Sequence, residues 1–267
     1  MTDDEVLKML EENPILIKNI ENPSDELKLL AIKKDGRMLR YIKNPSKEME
    51  SLAIKSNPWS IEFIGNPTYD MKKYVVSKTW NTLEFIKSPS EELIKVGIRQ
   101  NGYAIRYAES PSIELQRLAI EKDYDSIKYI INPIEEIQLL AIKRNYVCLR
   151  YIENACLSAE ILAITENESA IRFILNIDDD KKVLFLKHNV LVIKYFINQL
   201  PREAVEAAFR EVLSREDVSE KYVRDFINCE SINEKYGNIS SDKIIFIYKY
   251  GSKNCKKIAV DEKLKMM

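Results

Sequence analysis

The chain contains one histidine, six glycines and four cysteines among 267 residues. A single imidazole, His188, leaves no histidine pair for a metal, and its place at a turn suits an exposed residue better than a general base. With so little glycine, neither GxxxxGK[ST] nor GxGxxG occurs, and GxSxG and HExxH are also missing. Cys148, Cys156, Cys229 and Cys255 show no CxxC spacing, so they offer neither a zinc site nor a disulfide framework. Such cysteines suit a reducing, cytoplasmic setting. No apolar run approaches the roughly 20 residues that span a bilayer, and the first residues, "MTDDEVLKML", are acidic rather than basic. The expectation is a soluble, unexported protein with no membrane contact and no cofactor. An excess of one charge is lacking too. The 41 basic and 42 acidic side chains give a net charge of −1, so nucleic-acid binding would need a local basic stripe.

What is present is repetition. "NPSDELKLLAIKKDGRMLRYIK" is followed at once by "NPSKEMESLAIKSNPWSIEFIG", and the same 22-residue frame runs through starts at Asn22, Asn44, Asn66, Ser88, Ser110, Asn132, Asn154 and Asn176. With slots numbered 1 to 22 from Asn22, slot 2 is proline from Pro23 to Pro133, slot 10 is mostly small, and slot 20 is always aromatic. Proline disfavours an α conformation in its predecessor and is tolerated at a helix start, so each Asn-Pro or Ser-Pro should end one helix and begin the next. Acidic residues at slots 4 and 5, such as Asp25 and Glu26 or Glu135 and Glu136, suit a helix N-terminus. Slot 14 is Asp, Asn or Thr in every repeat, the natural cap for a second helix. The first helix is expected to bury slots 6, 9, 10 and 11, and the second slots 17, 18, 20 and 21.

Helices this short are marginal alone, and stacking must stabilise them. The expected fold is all-α: a right-handed-type α-solenoid of about nine helix-turn-helix repeats. Residues 1–21 keep the frame weakly and carry Asp3, Asp4, Glu5, Glu11 and Glu12, as a polar N-terminal capping repeat would. Residues 22–197 hold the eight regular repeats. From 198 to 267 the period fails, and this part reads as a C-terminal helical cap with a short, flexible lysine-bearing tail. Within it, "SSDKIIFIYKYGSKN" suits either a helix ending at Gly251 or a strand.

The unit "NPSxELxxLAIxxxxxxIRYI" resembles the variant leucine-rich repeat, and is similar to short helical repeats of unknown function in bacterial, phage and large-virus proteins. The resemblance covers roughly residues 1–197. It implies an all-helical solenoid and carries no catalytic residues over to this chain.

In repeat proteins the variable exposed slots face partners. Slots 12 and 13 supply Lys55, Lys78, Arg99, Lys122 and Lys143, and slots 15 and 16 supply Trp59, Trp80, Tyr103, Tyr124 and Tyr146. Stacked, these should form an edge on which bases alternate with aromatics, the residue types enriched at binding hot spots. Purely structural roles compete: cations complement a helix C-terminus, and aromatics can staple neighbouring repeats. Slot 19, with Arg40, Arg106, Lys128, Arg150, Arg172 and Lys194, reads as a salt-bridging stripe. The expected function is a non-enzymatic protein–protein interaction scaffold for a partner with acidic character, including an inhibitor or sequestering protein of a phage or mobile element. A nucleic-acid-binding helical repeat is the alternative.

Overall fold

A computed structural model describes residues 3–265, with side chains described from Glu5 onward. Residues 1, 2, 266 and 267 of the expected end segments, and the Asp3 and Asp4 side chains assigned to the N-terminal cap, lie outside the described residues. Among these residues every element is helical and no strand occurs. The chain forms two compact units, Met1–Ile131 and Asn132–Met267.

In the first unit, α-helices α1 (Asp3–Glu12), α2 (Asp25–Lys34), α3 (Lys47–Ser56), α4 (Tyr69–Lys78), α5 (Glu91–Ile98) and α6 (Ile113–Lys122) alternate with six-residue 3-10 helices such as Gly36–Tyr41, Pro58–Phe63 and Tyr124–Tyr129. The second unit continues the alternation with α7 (Glu135–Arg144), α8 (Leu157–Glu166) and α9 (Asp179–His188), and then adds α10 (Arg202–Leu213), α11 (Glu220–Asn228), α12 (Lys243–Tyr250) and α13 (Lys253–Lys265). Within each unit neighbouring α-helices pack together, as α2 does on α3 and α7 on α8, and neighbouring 3-10 helices form a second layer.

The second helix of each repeat is thus 3-10, which follows from its length. An α-helix leaves four N–H and four C=O groups open at its ends, nearly all of a six-residue element, whereas i→i+3 bonding leaves three of each. Slot 14 caps this helix in six repeats, where Asp35, Asn57, Asn101, Asn145, Asn167 and Asn189 each accept a hydrogen bond from the N–H two residues on, whereas the Thr79 and Asp123 side chains make no cap bond.

The start of the longer helix differs from expectation. It begins at slot 4, two residues after the proline, and its cap is slot 3, where Ser24, Ser46, Thr68 and Ser112 accept from backbone N–H groups three residues on. In five repeats slot 1 instead takes a left-handed turn: φ is 47° at Asn22, 50° at Asn44, 43° at Ser88, 49° at Asn132 and 54° at Asn176. Asparagine tolerates this region better than other side-chain-bearing residues, which gives the Asn of Asn-Pro its own reason.

Slots 10, 11, 17 and 18 supply the core throughout, with Ala31, Ile32, Met38 and Leu39 as the first set. Slot 9 is only half-buried, and slot 7 is buried at Glu50, Ile94, Gln138 and Glu160. Gly36 at slot 15 allows close approach: a Cβ there would lie 2.1 Å from the Ala53 carbonyl oxygen of the next repeat. The slot-20 aromatics are not core residues. They emerge half-exposed, Tyr41 at 37% and Tyr151 at 39%.

Side chains from one repeat also complete the backbone of the repeat before it. Ser56 Oγ donates to the Lys33 carbonyl and accepts from Gly36 N–H at 3.1 Å. Gln100 does the same for Val76 and Trp80, Asp123 accepts from Gly102 N–H at 2.6 Å, and Asn189 donates to the Ile164 carbonyl at 2.8 Å. After α9 the repeat ends, and Tyr222 of α11 takes over this work, its hydroxyl donating to the Leu186 carbonyl at 2.7 Å. In the same part of the chain Phe209 meets Phe226 edge-on at 5.1 Å, and Phe226 lies tilted to Phe246 at 5.9 Å. The segment open between helix and strand is α12, ended at Gly251, and the expected tail is the helix α13.

Candidate interaction surface

In the first unit the 3-10 layer carries a file of rings. Trp59 meets Phe85 of the next repeat edge-on at 5.9 Å, Trp80 meets Tyr107 at 6.4 Å, and Tyr103 meets Tyr129 at 5.5 Å. Each contact joins slot 15 or 16 of one repeat to slot 20 of its successor, so both the stapling role and an exposed aromatic surface are realised by the same side chains. Trp59 remains 38% exposed, and Trp80 and Tyr103 are half-buried.

Cations lie over these rings, and they come from slot 19. The Arg40 guanidinium carbon is 5.4 Å from the ring centroids of both Tyr41 and Phe63. Arg106 sits 5.2 Å from Trp80 and 4.8 Å from Tyr107, and donates to the Tyr107 hydroxyl at 2.7 Å. Lys128 Nζ lies 4.1 Å from the Tyr103 centroid and pairs with Asp125 at 3.1 Å, while the Tyr103 hydroxyl donates to the same carboxylate. Burial raises the Asp125 pKa, but hydrogen bonds from Tyr103 and Lys128 and the ammonium charge outweigh it and hold the carboxyl below its ordinary range. The Tyr103 hydroxyl is pushed up, first by its bond to Asp125 and then by burial. Exposed Glu62 and Glu84 interrupt the cationic file.

The bases expected to alternate with these aromatics stand elsewhere. Lys55, Lys78, Arg99 and Lys122 are exposed at the C-terminal ends of α3 to α6, and Lys78 lies 5.5 Å from the Tyr74 ring. In the second unit Lys143 is likewise exposed at the end of α7, and the Tyr146 hydroxyl is 3.2 Å from Ser169 Oγ. There Arg150 lies over Tyr151 and Arg172 over Tyr195, while Lys194 forms the interrepeat ion pair expected of slot 19, 3.0 Å from Glu168. The signal for the cation–ring arrangement was a basic slot next to an aromatic slot, 19 beside 20. It was hidden by the expectation that slot 20 is buried.

Among the described residues no group of three or more His, Cys, Asp and Glu is placed to hold a metal, and no helix is long and apolar enough to cross a membrane. His188 borders a cleft of about 220 Å³ with Lys187, Arg215 and Tyr222. Partial burial, then the charges of Arg215 and Lys187, push its pKa down. Three cysteines are buried and Cys156 is half-buried, all as free thiols, and burial pushes the Cys255 thiol up to about 11. No protein-family model matches the chain, and no curated protein or solved structure matches it.

Proposed function

We propose that the protein is a cytoplasmic, non-enzymatic interaction scaffold, its repeats stacking in the manner of a right-handed-type α-solenoid of about nine 22-residue units, and that it holds a partner protein on the ring-and-cation file of the first unit. The observation that supports this reading is the file itself: Trp, Tyr and Arg side chains, spaced by the repeat and stiffened by contact with the next one. Rings held in place lose little freedom on binding, and a guanidinium over a ring keeps N–H groups for a partner carboxylate. Such a surface favours a partner with apolar side chains among acidic ones, and a scaffold of this kind acts by retention, as a sequestering inhibitor does. Lys55, Arg99 and Lys122 would steer an acidic partner from the neighbouring helix ends.

The test uses immobilised protein presented to extract of its native cell. Arg40→Glu with Arg106→Glu, both at exposed positions, should abolish capture of the protein partner while leaving the helical circular dichroism intact. Trp59→Ala with Trp80→Ala should do the same, at a stability loss of about 0.5–1.5 kcal/mol for each ring pair removed. Retention of the partner by both variants sinks the proposal. Capture of nucleic acid instead, with affinity falling steeply with salt, moves the function to the nucleic-acid reading.

A further inference from the structure

Outside the ring file, an exposed apolar groove lies between α12 and α13. Ile244, Ile247 and Ala259 floor a groove of about 500 Å³, walled by Tyr248, Val260 and Leu264. The walls stand far into solvent, Tyr248 at 78% and Leu264 at 65% exposure. On α13 the groove residues recur as Lys256, Ala259, Val260, Lys263 and Leu264, a stripe along one helix face. The side chains that complete the groove's edge are lysines: Lys263, and Lys256, whose Nζ lies 5.6 Å from the Tyr248 ring. Seven lysines and two acidic residues occupy 243–265. Of the two acids, Glu262 is turned to Arg224 and to Asn228, which donates to it at 2.8 Å, so the lysines outnumber the acid left along the helix.

We infer that this groove is a docking site for an acidic amphipathic helix of a partner protein, which would lay its apolar face between α12 and α13 and set its carboxylates against Lys256 and Lys263. An apolar cleft between two helices is the shape that receives a third. The charge selects among occupants: a second copy docking by the same face would bring lysine against lysine. The site belongs to the second unit and does not depend on the ring file. The probe is a synthetic amphipathic helix of leucine and glutamate, titrated into the full chain by calorimetry. Its leucine–lysine counterpart and a scrambled leucine–glutamate peptide serve as controls, beside vesicles of anionic lipid. The acidic helix should bind and the controls should not. Leu264→Glu should weaken binding at least about tenfold, and Lys256→Glu with Lys263→Glu should reverse the preference to the leucine–lysine peptide. Equal binding of both amphipathic peptides, absence of binding to the acidic one, or binding of vesicles in its place overturns the inference. So does self-association of the chain that Leu264→Glu dissolves, because the groove would then belong to a second copy.

Discussion

Ser88 holds a φ of 43°, in the left-handed region otherwise occupied at repeat boundaries by asparagine. A side chain there meets the following carbonyl oxygen, a conflict that asparagine relieves by local hydrogen bonding. Ser88→Asn should therefore raise stability by up to about 1 kcal/mol, and Asn132→Ala should lower it by about 1–2 kcal/mol, both read from urea unfolding midpoints. His188 gives a second residue-scale prediction, because it is the one histidine in the chain. Its folded-state pKa lies below the ordinary value of about 6.5, so the unfolded chain binds the proton more readily. Stability is then fully present above that pH and declines as pH falls through the folded pKa. Thermal unfolding between pH 5 and 7 should show this decline, and His188→Asn should flatten it. A profile unchanged by the substitution would assign the dependence to other groups.

At the scale of the element, the caps separate repeats that look alike. Asn57 accepts a bond from Trp59 N–H, whereas the Thr79 side chain makes no such bond at the equivalent place. Asn57→Ala should lower stability by about 1 kcal/mol and Thr79→Ala by much less, measured by chemical denaturation. The repeat length, the alternation of two short helices and the core slots 10, 11, 17 and 18 were legible in the sequence, because each follows from a recurring residue type. The 3-10 character of the second helix was not, since propensity does not separate 3-10 from α in six residues. Nor was the place of slot 20, whose rings at Phe85 and Tyr107 were expected in the core and stand half-buried in the ring file. The proline misled in a smaller way: it marks the boundary correctly but stands ahead of the serine cap, as Pro45 does before Ser46. The groove between α12 and α13 left little trace, for α13 has a lysine-rich sequence whose apolar stripe is short.

Across the whole molecule, both units rely on the same device, a side chain that reaches back to finish the preceding repeat's backbone. Ser56, Gln100 and Asp123 do this in the first unit and Asn189 in the second, and Tyr222 closes the series. Tyr222 is buried, so Tyr222→Phe leaves the Leu186 carbonyl without a donor and should lower the unfolding free energy by about 1–3 kcal/mol, seen in denaturant melts. Full retention of stability would mean that water replaces the hydroxyl. In each of these bonds a later residue serves an earlier backbone group, and a ribosome delivers the chain in the same sense. The repeats that hold Gly36, Val76, Gly102 and Ile164 leave the exit tunnel with backbone groups still waiting for the one after them. Their partners follow 20 to 25 residues later, and the Leu186 carbonyl waits for Tyr222, 36 residues on. Synthesis thus carries an open, sticky frontier toward the C-terminus, closed only when α11 arrives.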